Sequence, residues 1–266
     1  MREISSISET EAKAIRYILM DIDDTLTTEG KLLASSFSAL WSLRAARLVV
    51  VPITGRPAGW CDMIARQWPV DGVVGENGAF AFWEIEGQRL RQMLSPNAAP
   101  NDAPELAKAR DRALREVPGC RVAKDQAYRR FDIAIDFAEE EPQLPLEAGM
   151  AIKRICDDEG VRAKISSIHV NAWMGDYDKL STALRFLSER FGYDDAKDRG
   201  SVVFVGDSPN DEPMFAHFPL ACGVANVRRY LGIMKRFPAF VARAEGGEGF
   251  AEIAATLLSK AGSGGL

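Results

Sequence analysis

The apolar run Ile15–Met20, closed by Asp21 and followed at once by Ile22-Asp23-Asp24-Thr25, constrains this chain more than any other feature. A run so short and, apart from Arg16, apolar reads as a strand covered on both faces, the kind found in parallel sheets flanked by helices. The segments after it keep to that pattern. Residues 35–47 (SSFSALWSLRAAR) read as a helix, Leu48–Gly55 as a second strand, and 57–68 as a helix with Pro57 in its first turn. Asp71–Phe80 reads as a third strand. Strands alternating with helices predict an α/β fold with a doubly wound, Rossmann-like parallel sheet, whose ligands bind beyond the carboxyl ends of the strands. Asp21 and Thr54 both fall there.

The rhythm breaks after Ala79. Residues 80–94 resemble a hairpin turning at Glu86-Gly87, and 95–105 are a Pro- and Asn-rich connection. A helix over Leu106–Val117, a strand over 131–137, a helix over Leu146–Glu159 and a strand over 165–173 (ISSIHVNAW) then form a separate small unit. The earlier pattern resumes with a helix over Lys179–Phe191 and a strand over 201–207 that ends in Asp207. The expected organisation is a core made of residues 1–84 and 172–266, split by a smaller α/β cap over 85–171. Only the tail, AGSGGL, looks flexible.

Composition narrows the partners. With 266 residues, 47% of them hydrophobic, the chain can bury a full core, and its net charge of -5 argues against a nucleic-acid partner. No apolar run reaches the roughly 18 residues of a membrane span. Cys61, Cys120, Cys156 and Cys222 form no CxxC pair, and His169 and His217 have no metal-ligand spacing, so the thiols read as buried groups of a reducing compartment. A cytoplasmic monomer or homodimer acting on a small molecule is expected.

Four short motifs carry chemistry. Carboxylates two apart at a strand end, as Asp21 and Asp23 are, can face one cation, although an acidic turn after a strand would look the same. Thr54-Gly55-Arg56 offers a hydroxyl and backbone N–H groups to phosphate oxygens, or is a plain strand-to-helix turn capped by Thr. Lys179 opens a helix, where a lysine is usually just solvated. Gly206-Asp207-Ser208-Pro209-Asn210-Asp211 again puts acids at the carboxyl edge of the sheet.

Taken together and in this order, the motifs resemble the haloacid dehalogenase superfamily of phosphohydrolases, and the resemblance covers nearly the whole chain. The interval between Thr54 and Lys179 is where the second class of that family inserts its α/β cap. GENGAF before the insert, DYDKL after it, GDSPNDEPMF, GVANVRRYL and EGGEGFAEIAATLL are similar to the branch that holds the Cof-like and the sucrose-, trehalose- and mannosylglycerate-phosphate phosphatases. The resemblance implies a Mg2+-dependent phosphohydrolase acting on a small organic phosphate, with a sugar phosphate expected. In it Asp21 attacks phosphorus and becomes an aspartyl-phosphate, while Asp23 protonates the leaving alcohol and then activates water. The metal ligands implied are the Asp21 carboxylate, the Asp23 backbone carbonyl and Asp207, with Asp211 orienting a metal-bound water. Thr54, Gly55 and Lys179 would clamp the transferring oxygens, and Asn210 would help hold the phosphate or the metal site. Asp24 and Thr25 are expected to shape the loop, and Arg56 to form a salt bridge.

A phosphosugar mutase of the phosphomannomutase type would use the same nucleophile and stays open. A receiver domain, compact at about 120 residues, has no GDSPND after its Lys, and a catalytically dead binding module would usually lack one of these acids. In the cap, strand alternation puts His169 and Asn171 on one face and Ile168 and Val170 on the other. The polar pair is expected to look onto the active site and bind substrate, unless it lines a solvent face. Arg129 and Arg130 are weaker candidates for a second anionic group.

Overall fold

The computed structural model describes residues 1–85 and 89–262. Its strands are β1 (Tyr17–Met20), β2 (Val49–Pro52), β3 (Val73–Gly75), β4 (Phe80–Ile85), β5 (Arg89–Leu94), β6 (Asp132–Asp136), β7 (Arg162–Ile165), β8 (His169–Trp173) and β9 (Val202–Gly206), besides several two-residue strands. The longer helices are α1 (Ala34–Ala45), α2 (Ala58–Gln67), α3 (Pro104–Glu116), α4 (Leu146–Asp158), α5 (Lys179–Phe191) and α6 (Gly246–Gly262).

A six-stranded sheet runs in the order Arg2–Glu3, Phe240–Val241, Cys222–Gly223, β9, β1, β2, and every neighbouring pair is parallel. Alternate residues of β1 feed opposite layers. Ile18 and Met20 pack with Leu40 of α1, Ile64 of α2 and Ile253 of α6, whereas Tyr17 and Leu19 pack with Phe186 of α5. Both faces are covered, which is why β1 is apolar throughout. A parallel bridge from Ile53 to Val74 links this sheet to the antiparallel β3-β4-β5 sheet.

The expected third strand stops at Gly75. Glu76 and Asn77 take positive φ values of 41° and 56° and turn the chain back, so that β4 pairs antiparallel to β3. The hairpin turn expected at Glu86-Gly87 lies outside the described residues, as do the last four residues of the tail, while Ala261 and Gly262 end α6.

Between β5 and α5 a second sheet forms, in the order β7-β8-β6 and Arg121–Val122, antiparallel throughout. One face carries Ile133, Ile135, Val170 and Ala172 against Leu106 and Ala109 of α3 and Ile152 and Ile155 of α4. Residues that alternate with these, Asp132, Asp136, His169 and Asn171, are polar yet buried. The single strand expected over 165–173 is two strands. The chain turns over Ser166–Ile168, where the Ser166 hydroxyl accepts from His169 N at 3.0 Å. Ile168 therefore does not share a strand face with Val170.

The expected boundaries at 84/85 and 171/172 fall inside β4 and β8. Because β4 pairs with β3 and β5 with β4, and β8 continues to Trp173, we propose residues 95–174 as the inserted unit. Among the described residues, no helix is long and apolar enough to cross a membrane.

Candidate active site

The carboxyl edge of the parallel sheet gathers the sequence motifs. Asp21 follows β1, its N–H donating to Val205 O at 2.9 Å, and Asp207 follows β9. Thr54 lies just past β2 and donates its N–H to Val74 O at 2.8 Å. Lys179 is the first residue of α5, whose start is fixed by a capping box between Asp178 and Ser181. From there Lys179 Nζ reaches Asp21 Oδ1 at 3.0 Å and Asp211 Oδ1 at 3.2 Å. Asp211 Oδ2 accepts from the backbone N–H groups of Asp207 at 3.0 Å and Ser208 at 3.4 Å.

Asp21, Asp207 and Asp211 are buried and each offers an oxygen within 4.8 Å of the others. One lysine does not balance three carboxylates at that spacing. Burial pushes Asp21 up to about 7, with Lys179 opposing and Asp211 and Asp23 adding to the rise. Burial also drives Asp207 well above the usual carboxylate range, and repulsion from Asp211 and Asp21 adds to it. Thr25 donates its hydroxyl to Asp207 Oδ1 at 3.0 Å, so it serves the acid cluster as well as the loop. Asp207 Oδ2 is buried with no partner. An all-oxygen donor set with one oxygen unengaged and excess negative charge fits a hard divalent cation.

Asp23 does not join this cluster by its side chain. Arg56 Nε donates to both of its carboxylate oxygens at 3.0 Å, and Arg56 Nη2 donates to Oδ1 at 2.8 Å, which is the salt bridge expected of Arg56. The other edge of the guanidinium reaches the insert, with Nη1 2.9 Å from Glu139 Oε1 and 3.5 Å from Asp125 Oδ2. Glu139 Oε2 lies 2.9 Å from His169 Nε2. The His169 hydrogen bond, helped by Arg56 and opposed by burial, holds Glu139 down at about 2.

His169 and Asn171 line a cavity of about 10 Å³ together with Asp21, Asp23, Gly55, Arg56 and Asn210. Both also have partners within the insert, His169 in Glu139 and Asn171 in Asp132, to which it donates at 3.0 Å. Thr54 is fully buried and its hydroxyl accepts from Arg56 N at 3.0 Å, so Gly55 and Arg56, not Thr54, line the cavity from that turn. A Cβ on Gly55 would stand 3.3 Å from the side chains of Asn171 and Asn77, which would have to give by a few tenths of an ångström to admit it. A cleft of about 300 Å³ beside Lys179 and Asn210 and another of about 650 Å³ beside Asp23 and Arg56 flank the cavity.

No protein-family model matches the chain. A phosphoglycolate phosphatase of Pyrobaculum neutrophilum is 29% identical over 247 residues, which cover 92% of this chain and 96% of the relative. The solved sucrose-phosphatase of Synechocystis, in complex with sucrose and phosphate, has a TM-score of 0.59 at 14% identity, over 91% of this chain and 97% of that one. A haloacid dehalogenase-like hydrolase from Bacteroides thetaiotaomicron has a TM-score of 0.62 at 16% identity, over 91% and 98%. The chain shares the fold of these two solved structures.

One expectation needs correction. Arg129 is buried and saturated by Asp125, by Asp132 at 2.9 Å and by Gly55 O at 2.8 Å, which leaves no edge for a substrate anion. Arg130 is exposed and is engaged with Gln92 and the ring of Phe131. Glu76 and Glu139 were missed altogether. The Glu76 carboxylate accepts from Ala58 N at 2.9 Å and from the N–H groups of Arg130, Phe131 and Asp132, and so ties the insert to the start of α2. Its place in GENG, directly after a strand, was the available signal.

Proposed function

We propose that this phosphoric monoester hydrolase removes phosphate from a small organic phosphate by carrying the phosphoryl group on Asp21. The carrying observation is a buried Asp21 with one oxygen on Lys179, set with Asp207 and Asp211 so that one lysine serves a cluster of three carboxylates. Asp21 and Asp207, with the backbone carbonyl of Asp23, would hold Mg2+, while Asp211, whose Oδ2 is engaged by backbone N–H groups, would act from behind them. When bound, that ion supplies positive charge that keeps Asp21 ionised and offsets its repulsion of a phosphate dianion.

The Asp21 carboxylate oxygen attacks phosphorus as the ester oxygen departs, and Asp23 gives that oxygen its proton. Asp23 then takes a proton from water, which attacks the aspartyl-phosphate, releases inorganic phosphate and restores Asp21. Lys179 holds Asp21 in place and, with the Gly55 N–H and Asn210, neutralises and orients the transferring oxygens. The Pyrobaculum relative bears the name of phosphoglycolate, so that two-carbon phospho-acid and small sugar phosphates are the first substrates to assay.

The test is phosphate release by the purified protein with Mg2+ across phosphoglycolate, sugar phosphates, polyol phosphates and nucleotides. At least one ester should be hydrolysed, EDTA should stop the reaction, and added Mg2+ should restore it. Asp21→Asn should lower turnover by at least about 10²-fold while the protein stays folded. Full turnover after chelation, or a turning-over Asp21→Asn, contradicts the scheme.

A further inference from the structure

We infer that Glu139 is a positioning residue for Asp23, acting through Arg56, so that the insert aims the acid–base group of the core. The inference rests on the proposed function and extends it to a residue in the insert.

The guanidinium is planar and presents its donors in a rigid fork, so fixing one edge fixes the other. In this chain the Nε/Nη2 edge holds Asp23 and the Nη1 corner holds Glu139 at 2.9 Å. The Arg56 side chain is 6% exposed, and its cation lies 4.4 Å above the Trp60 ring, which leaves the fork little room to turn. Glu139 is itself held, by His169 Nε2 at 2.9 Å and by its own N–H, which donates to Asp136 Oδ1 at 2.8 Å. The chain of contacts therefore runs from β8 of the insert through Glu139 and Arg56 to Asp23 without a gap. Asp125, also from the insert, adds a longer contact of 3.5 Å to the same Nη1.

The chemistry gives this geometry a consequence. An alkyl ester leaves as an alkoxide that must receive a proton, and proton transfer demands a well-aimed donor. An aryl ester such as p-nitrophenyl phosphate releases a stable phenolate and needs no such proton in its first step. Loosening Asp23 should therefore slow the first ester and spare the first turnover of the second.

The experiment compares wild type, Glu139→Ala and Glu139→Gln on the best alkyl phosphate at steady state and on p-nitrophenyl phosphate in the pre-steady-state burst. For Glu139→Ala, kcat on the alkyl ester should fall about tenfold to a hundredfold, with KM and the nitrophenolate burst rate within about threefold of wild type. Glu139→Gln, which keeps an acceptor for Arg56, should recover part of the loss. Equal loss on both esters makes Glu139 part of the scaffold and overturns the inference, as does no loss on either. A wild-type protein inert toward both esters overturns the proposed function, and this inference with it.

Discussion

Glu139 sits in Ala138-Glu139-Glu140-Glu141, a run of acids that reads as a solvated turn, and its partner Arg56 stands 83 positions earlier. Nothing local marks it. Asp21, Asp207 and Lys179 were legible because each sits at the boundary of a strongly patterned element, two after apolar runs and one at a helix start. The structure brings those three together; for Thr54 it substitutes Gly55 and Arg56 as the residues facing the cavity. The contacts of Glu139 also make a pH prediction. Its carboxyl is held at about 2 by His169 and Arg56, below the ordinary glutamate value of 4.5, so the folded state binds its proton less readily than the unfolded chain. The stability this adds is complete above about pH 4.5, is lost as pH falls toward 2, and amounts to at most about 3 kcal/mol. In urea unfolding, the gap between wild type and Glu139→Gln should therefore shrink from pH 6 to about pH 3. A gap that does not change with pH would contradict it.

At the scale of elements, α5 follows its sequence from Lys179 to Phe191 because an Asp178 cap, a regular apolar face and a Gly192 stop all agree. ISSIHVNAW misled because its apolar and polar residues alternate straight through a turn, and only the Ser166 hydroxyl, bonded to His169 N, reveals the break. GENGAF misled in the opposite sense, since the run looks continuous while Glu76 and Asn77 reverse it. That reversal also seats α5. Gly78, at φ +106°, abuts the start of the helix, and its carbonyl accepts from the Thr182 hydroxyl at 2.6 Å. A Cβ there would stand 2.1 Å from Asp178 O, a backbone atom beside Lys179. Gly78→Ala should cost at least about 2 kcal/mol in urea unfolding and lower kcat by shifting Lys179. Wild-type stability together with wild-type kcat would show that α5 tolerates the shift.

At the scale of the molecule, a break in helix–strand alternation was enough to locate the insert, whereas its strand order depends on long-range pairing that no local pattern encodes. The same holds for the core. Which strands are parallel neighbours was readable from their apolar runs only as a class, and the two-residue strands at Cys222 and Phe240 are too short to carry any period. The insert leaves about 10 Å³ over Asp21, roughly room for one water, with wider clefts beside Lys179 and beside Asp23. Glu76, Arg56 and the Arg129–Gly55 contact are among the places where insert and core are bound together. The proposed function turns on one covalent event at Asp21. The most direct measurement is mass spectrometry of protein quenched in acid during turnover of its best phosphate ester. The account predicts one phosphoryl group on the peptide containing Asp21, absent from Asp21→Asn; steady turnover with no adduct on that peptide, or with the adduct on another residue, would contradict it.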